Sequence, residues 1–184
     1  MVLDDESGNF KDKTSFLFDV IKRYDHYVAT TNFKVGLMMS FVGAVVLGLT
    51  IRVISLNPAE SGCNYSYYSA LMSSALTIII SLSAAINLLR SVFPNTKTHC
   101  GDKSLIFFGD VATCENGIDG YKEKIEKSPP ENLLSDLSKQ TFIVAEIVNE
   151  KFRVLKISVR IIIYGVIPFL AISLLLLIFN GVKY

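Results

Sequence analysis

The sequence predicts an all-α membrane protein with three transmembrane helices. Two of these helices are continuous with long cytoplasmic helices, and a short cytoplasmic helical segment completes the fold. Three observations carry the prediction: three long apolar runs, two helical patterns that lead into such runs without a break, and an uneven distribution of basic residues along a chain of 184 residues.

The apolar runs are long enough to cross a bilayer. The first extends from Val35 to Leu56, interrupted only by Arg52. The second extends from Ser61 to Leu89 and the third from Ile161 to Val182, both without charge. A spanning helix needs about 20 apolar residues, because each residue rises 1.5 Å through a core of about 30 Å. A soluble protein with three buried helices is the alternative, but a chain this short rarely supplies enough polar partners to surround them.

These runs divide the chain into segments of alternating character. The segments are an N-terminal cytoplasmic amphipathic helix (1–34), the first transmembrane helix (35–56), a short external loop (57–66), the second transmembrane helix (67–93), a cytoplasmic helical sensing segment (94–157) and the third transmembrane helix (158–181). Asn57–Asn64 contains no lysine or arginine, whereas five basic residues precede the first span and eleven lie from Arg90 to Arg160. The positive-inside bias therefore predicts that the N-terminus lies in the cytoplasm and the C-terminus on the other side of the membrane. Because the first apolar run begins at Val35, we expect no cleaved signal peptide.

The N-terminal segment predicts a helix that enters the first span unbroken. We expect residues 1–12 to be frayed and Thr14 or Ser15 to cap the helix. Apolar positions then recur at steps of three and four: Leu17, Ile21, Tyr24, Val28, Thr31 and Val35. No proline or glycine follows the cap before Gly36. The stripe needs a partner, which is either another cytoplasmic helix or the lipid surface.

Turn-forming residues separate the predicted helices in the middle of the chain. Asn57-Pro58 and Ser61-Gly62 predict a tight external turn, and Pro94 marks the exit of the second span. The string 104–110 is too short for a span; it fits a strand or the start of a short helix, and we favour a loop that leads into a helix from about Asp119 to Lys127. Ser128-Pro129-Pro130 ends that helix, and Pro130 opens the next one.

From residue 131 the pattern predicts one long helix that continues into the third span. Apolar residues fall near one face: Leu133, Leu137, Val144, Ile147, Val154 and Ile157. Gln140 and Lys151 lie on the same face, because eleven residues make about three turns. Two cytoplasmic helices continuous with spans would form a stiff mechanical link.

The residues offer no catalytic constellation, so we predict that the chain is not an enzyme, binds no metal and needs no cofactor. His26 and His99 are the only histidines, and Gly109, Gly117 and Gly120 lack the spacing of a phosphate loop. The apolar runs contain no Asp, Glu, Lys or His, which disfavours a proton-coupled transporter or a charge-lined channel. Small residues in the first two spans favour self-association, with pore lining as the alternative. They are Ser40, Gly43, Ala44, Gly48, Ser73, Ser74, Ser81, Ser83, Ala84 and Ala85.

A ligand site would have to be cytoplasmic. A cyclic nucleotide needs a cation for its phosphate, a flat apolar face for its base and polar groups for its ribose. The candidates are Lys34, Arg90, Phe107, Phe108, Asp110, Gln140, Lys151, Arg153 and Lys156. Basic residues at membrane edges also anchor spans and contact lipid headgroups, which is the simpler role for Lys34, Arg90 and Lys156.

Several local strings, in this order and spacing, resemble the Pycsar transmembrane effector family. Asn32-Phe33-Lys34 is similar to an Asp-x-Lys motif ahead of the first span, with Asn32 in place of the usual aspartate. The string 104–110 is similar to a motif of serine and leucine, aromatic residues, then glycine and aspartate. Gln140, Ala145, Ile147 and Lys151-Phe152 match a pattern on the helix before the last span. The resemblance covers Phe18 to Leu177.

The resemblance implies a membrane effector of bacterial anti-phage defence. A partner nucleotide cyclase would make cCMP or cUMP, and this cyclic pyrimidine nucleotide would activate the effector to impair the inner membrane and cause abortive infection. The ligand-binding residues expected on this basis are Asn32, Lys34, Phe107, Phe108, Asp110, Gln140 and Lys151. We expect membrane lipid and further copies of the chain as partners, and no nucleic acid. A scaffold that recruits a cytoplasmic partner, or a small channel, is the alternative.

Overall fold

The computed structural model of the chain describes residues 2–56, 65–93 and 103–181, with the side chains of 8–56, 65–93 and 103–179. Within these ranges every regular element is helical. The helices are α1 (Val2–Ile54), α2 (Tyr65–Val92), α3 (Phe108–Ala112), α4 (Gly117–Lys127), α5 (Pro130–Ile161) and α6 (Ile167–Gly181), with a π-helical turn at Ile162–Val166. The predicted external turn at 57–64 and the membrane exit at Pro94 lie outside the described residues.

Three helical stretches are long and apolar enough to cross a membrane: Gly8–Ile54, Tyr65–Val92 and Pro130–Phe179. Many of their large apolar side chains point outward; Ile79, for example, is 63% exposed and Leu175 is 56% exposed. A helix that is apolar on its outer faces as well as its packed face is suited to lipid as its surroundings. The prediction of an all-α protein with three transmembrane helices is confirmed.

Helix α1 runs without a break from Val2 to Ile54, as its lack of proline predicts. The predicted start at Thr14 or Ser15 is wrong. The Thr14 hydroxyl donates to the Phe10 carbonyl at 2.9 Å, a bond to the preceding turn. A threonine with this bond lies inside a helix, because a capping hydroxyl accepts from the amides that follow it.

The chain divides into two compact units. The polar unit comprises Met1–Thr30 and Asn95–Asn149, and the apolar unit comprises Thr31–Pro94 and Glu150–Tyr184. In the polar unit one member of the α1 stripe lies beside α5, because Leu17, Leu134 and Ser138 line one cleft of about 410 Å³. At the level of Leu17 the stripe therefore faces another helix of the chain.

The core of the apolar unit is formed by residues of α1, α2 and the helix that contains α5 and α6. Its buried members are Val35, Val42, Val45, Leu49, Ala70, Ala84, Leu88, Leu155, Ile162, Val166 and Leu177. Of the stripe predicted on α5, Leu137 and Val154 are buried, whereas Ile157 is 40% exposed. The helical period explains the exception, because Ile157 lies about 200° around the helix from the buried Leu155 and about 100° from the buried Ser158.

The long helix predicted from residue 131 is present and contains one irregular turn. The Ile167 amide donates to the Ile162 carbonyl, five residues back, in place of the usual four. Pro168 follows directly; it has no amide hydrogen, and its ring would crowd the carbonyl four residues before it. A widened turn of this kind relieves that conflict without ending the helix.

The region before α5 contains more helix than the sequence predicted. The five-residue α3 replaces part of the favoured loop, and α4 begins at Gly117, two residues before the predicted Asp119. Asn116 and Gly117 both have positive φ (60° and 59°), so the chain reverses before the helix begins. Gly120 is required by packing, because a Cβ there would lie 2.0 Å from the Glu115 carbonyl oxygen. The predicted end of α4 at Lys127 and start of α5 at Pro130 are confirmed.

Candidate functional site

A buried ammonium group forms the most distinctive polar cluster of the apolar unit. Lys151 on α5 is 6% exposed. Its Nζ donates to the backbone carbonyls of Ser91 at 3.1 Å and Val92 at 3.0 Å, and to Asn32 Oδ1 at 3.3 Å. An ammonium has three donors, and each has an acceptor here. We call this arrangement of Asn32, Ser91, Val92 and Lys151 the lysine cage.

The cage caps the C-terminal end of α2. The last carbonyls of a helix have no amide partner within the helix, and they carry the negative end of its dipole. Lys151 supplies both hydrogen bonds and a positive charge to that end. The Ser91 hydroxyl also donates to the Lys151 backbone carbonyl at 3.1 Å, so the two residues are bonded in both directions. α2 is thereby fastened to α5 at this level.

The cage surrounds its cation with uncharged oxygens. Two acceptors are peptide carbonyls and the third is an amide oxygen. Burial removes water from the ammonium, and this desolvation lowers the pKa of Lys151 from its ordinary value. An anion beside Nζ would favour the charged form and reverse that shift.

Asn32 is the member of the cage that lies at the surface. Asn32 itself is exposed, and its contact to Nζ is the longest of the three. Lys34 is exposed on α1, but it lies two residues after Asn32, about 200° around the helix. The structure therefore brings Asn32 and Lys151 together and leaves Lys34 on another side of α1.

Arg153, a further sequence candidate, is already paired. Its guanidinium makes two hydrogen bonds to the Glu150 carboxylate, both at 2.7 Å. The hydrogen bond from Arg153 is the main reason why the pKa of Glu150 lies below its usual value, and the charge of Arg90 lowers it further. Arg153 is thus engaged with a carboxylate, whereas the partners of Lys151 are neutral oxygens.

In the polar unit the string 104–110 forms a closed loop held by two carboxylates. Asp110 Oδ2 accepts from the Ser104 amide at 2.9 Å. Asp136 Oδ2 accepts from the Ser104 hydroxyl at 3.0 Å and from the Leu105 amide at 2.8 Å. The Tyr121 hydroxyl donates to the Leu105 carbonyl at 2.8 Å. These bonds give Ser104 and Asp110 a local role, which is to fix the shape of the loop.

The same loop presents two aromatic rings. The Phe107 and Phe108 ring centroids lie 4.7 Å apart with a tilt of 51°, and Phe108 is 79% exposed. Gln140 is half-buried on α5 within the polar unit. An exposed ring on a fixed loop has the face that base stacking requires. The ligand roles of Phe107, Phe108, Asp110 and Gln140 stay predictions.

The polar unit contains a cleft that was not predicted from the sequence. It has a volume of about 590 Å³, and its lining includes Lys103, Asp110, Tyr121, Lys124, Lys127 and Asn132. Lys103 is bonded to Glu115 at 3.4 Å and Lys127 is paired with Glu123. Because lysines and carboxylates alternate along it, the cleft is less suited to a phosphate than the lysine cage. The only sequence signal was a mixed-charge helix, which is common on surfaces.

Comparison with known proteins gives two matches. Residues 16–179 match the family described as the Pycsar effector protein domain. The chain is 29% identical over 147 residues to the Pycsar effector protein EcPycTM of Escherichia coli, a match that covers 77% of this chain and 78% of that protein. No solved structure matches the chain.

Proposed function

Since this chain belongs to the Pycsar effector family, the membrane effectors of bacterial anti-phage defence, we propose that a cyclic pyrimidine nucleotide activates it. The nucleotide is cCMP or cUMP, made by a partner cyclase upon infection. The activated effector impairs the inner membrane, and the infected cell stops growing before phage is released. The family is not a known class of enzymes, and the cyclic nucleotide acts as a signal.

The lysine cage is the observation that carries the ligand proposal. A cyclic nucleotide carries one negative charge on its phosphate, and Lys151 is a buried cation whose partners are all neutral oxygens. Charge-assisted bonds between an ammonium and a phosphate are stronger than bonds to neutral oxygens. The phosphate approaches from the exposed side and replaces the long contact to Asn32.

Binding at Lys151 would also loosen α2. The ammonium that holds the phosphate is the one that caps the Ser91 and Val92 carbonyls. As Nζ moves toward the phosphate, those carbonyls lose a donor, and the bond from the Ser91 hydroxyl to the Lys151 carbonyl remains as the weaker attachment of α2 to α5. A ligand shifts a conformational equilibrium only when it binds one arrangement better than the other, and competition for one ammonium supplies that difference.

Calorimetry on the full chain in detergent micelles tests the proposal, with cCMP, cUMP, cAMP and cGMP as probes. We expect a pyrimidine nucleotide to bind and Lys151→Ala to abolish the binding. Lys156→Ala is the matched control, because Lys156 is an exposed lysine on the same helix. Its affinity should stay within about twofold of the unmodified chain, as expected for an exposed charge outside the site.

Two results would contradict the proposal. If a folded, membrane-inserted chain binds none of the four nucleotides, the scaffold alternative takes precedence. If Lys151→Ala keeps its helical circular dichroism and binds as tightly as Lys156→Ala, the phosphate lies elsewhere. Lys34→Ala provides a further comparison, since the sequence predicted a ligand role for Lys34 and the structure places it on a different side of α1 from Asn32.

A further inference from the structure

One face of α2 is buried along its length and carries a row of hydroxyl groups. Its members recur at alternating steps of four and three residues: Ala70, Ser74, Thr77, Ser81, Ala84, Leu88 and Ser91. This spacing keeps them on one side of the helix. Ser74 and Ser81 lie about 10 Å apart along the axis, because seven residues rise 1.5 Å each. We call Ser74, Thr77 and Ser81 the hydroxyl row.

One member of the row is fully bonded. The Thr77 hydroxyl donates to the Ser73 carbonyl at 2.8 Å, and its oxygen lies 2.8 Å from Ser173 Oγ on α6. Ser173 Oγ is also 2.8 Å from Ser73 Oγ and 2.8 Å from the Phe169 carbonyl oxygen, so its one hydrogen has three acceptors within reach. These contacts join α2 to α6 in the middle of their apolar stretches.

The other two members have no such bonds. Ser74 Oγ and Ser81 Oγ are fully buried, and within the described part of the chain neither makes a hydrogen bond. A buried polar group without a partner opposes folding. Shape alone does not require these hydroxyls, because Ala70 and Ala84 fill the same face with a methyl group and are equally buried. The two serines therefore carry a cost in this arrangement that alanine would avoid.

We infer that the hydroxyl row lines a water-filled path for small ions in the activated effector, formed by α2 helices from several copies of this chain. Water would supply the partners that Ser74 and Ser81 lack here. The sequence from Tyr65 to Leu89 contains no charged residue. A path lined by hydroxyls without rings of charge discriminates weakly between cations and anions. This inference rests on the proposed function, because it names the way in which the effector damages the membrane.

The first test measures ion and dye leakage from vesicles of bacterial lipid that contain the full chain. Opening is driven in two ways: by cCMP or cUMP, and by Lys151→Ala, which removes the cap of α2. We expect Ser74→Ala with Ser81→Ala to reduce the leak by about tenfold, because a methyl-lined constriction excludes water. Ser83→Ala is the matched control, since Ser83 is exposed on the same helix, and it should leak like the parent.

A second test distinguishes lining of the ion path from an effect on the stability of the closed form. It is needed because the double alanine variant also removes two unbonded hydroxyls from the closed form. Ser81→Cys and, for comparison, Ile79→Cys are made in a chain whose three native cysteines are serines. A charged thiol reagent that does not cross lipid is then added to leaking vesicles. Position 81 should react in the leaking state and stay shielded in the closed state. Position 79, exposed on the lipid-facing side of α2, should stay unreactive in both.

The outcomes distinguish this inference from the proposed function. A leak in Lys151→Ala vesicles that depends on the hydroxyls supports the inference even if the parent chain binds no nucleotide. In that case the absence of nucleotide binding overturns the ligand proposal alone. Nucleotide-driven leakage with position 81 shielded would overturn the inference and leave the ligand proposal standing. Absence of leakage under both conditions would overturn the inference and the proposed membrane damage, and calorimetry would still decide the ligand proposal.

Discussion

Lys151 and Asn32 are 119 positions apart in the chain and meet in the structure at 3.3 Å. The resemblance to the effector family predicts a ligand role for both residues from the sequence alone. The acceptors on α2 could not be predicted in this way, because a backbone carbonyl exists at every position and has no signature in the sequence. The role of Lys151 as a cap for another helix is therefore evident only from the fold.

Asn32→Asp is the residue-scale prediction that probes the cage most directly. It converts the amide contact to Lys151 into an ion pair, so we expect the folded state to gain about 1 kcal/mol. The bound carboxylate also competes with a phosphate for Nζ, and nucleotide affinity should fall. Unfolding in micelles and calorimetry measure the two effects. In a Lys151→Met background the substitution should have no stabilising effect, and a gain that persists there would show that the carboxylate acts on another partner.

The lowered pKa of Lys151 predicts a dependence of stability on pH. The unfolded chain holds this proton more tightly than the folded chain, whose Lys151 pKa lies below the ordinary 10.5. The desolvation penalty is therefore present at neutral pH, and stability rises as pH increases from the folded pKa toward 10.5. Unfolding curves across this pH range should show an increase in the unfolding free energy of the unmodified chain, and Lys151→Met should lack this increase. Nucleotide binding should weaken over the same interval, because the ammonium loses its charge.

At the scale of helices, the sequence predicted which long helices are present and that they run unbroken. It predicted the first residue of α4 and the π-helical turn less well. Apolar runs and their periodicity identify α1, α2 and the long helix from Pro130, because a spanning helix must be apolar over many residues. The early start of α4 was missed because Asn116-Gly117 is also typical of an ordinary turn. The π-helical turn was missed because Pro168 inside a helix predicts a disturbance without specifying its form.

The substitution Gly165→Ala tests the packing of the π-helical turn against α2. Gly165 lies in the π-helical turn, and a Cβ there would be 2.8 Å from Ile80 Cγ2 on α2. The added methyl pushes the two helices apart, and we expect a loss of about 1–2 kcal/mol in unfolding free energy. Gly43→Ala on α1 is the control, since no atom lies within 4 Å of its Cβ position. There the better helix propensity of alanine should leave stability unchanged or raised; an equal loss at both positions would contradict the packing explanation.

At the scale of the whole molecule, the distribution of basic residues predicts the orientation in the membrane. An odd number of spans places the two termini on opposite sides, and the positive-inside rule puts the N-terminus in the cytoplasm. Alkaline phosphatase, which is active only outside the inner membrane, should be active when fused after Tyr184 and inactive when fused within the 103–149 segment. The reverse pattern would invert the topology, and it would place the lysine cage on the side away from a cytoplasmic cyclase.

The π-helical turn has a consequence for the register of everything that follows it. Inward-facing residues recur at Ser158, Ile162 and Val166, two successive steps of four. A π-helical turn holds about one residue more than an α-helical turn, and the turn at Ile162–Val166 therefore gives this stretch one surplus residue. Deletion of a single residue here would restore regular winding and turn the remaining helix by about 100°. Ser173 would then no longer face Thr77. The surplus residue thus sets the rotation of the helix that follows it, so that α6 faces α2.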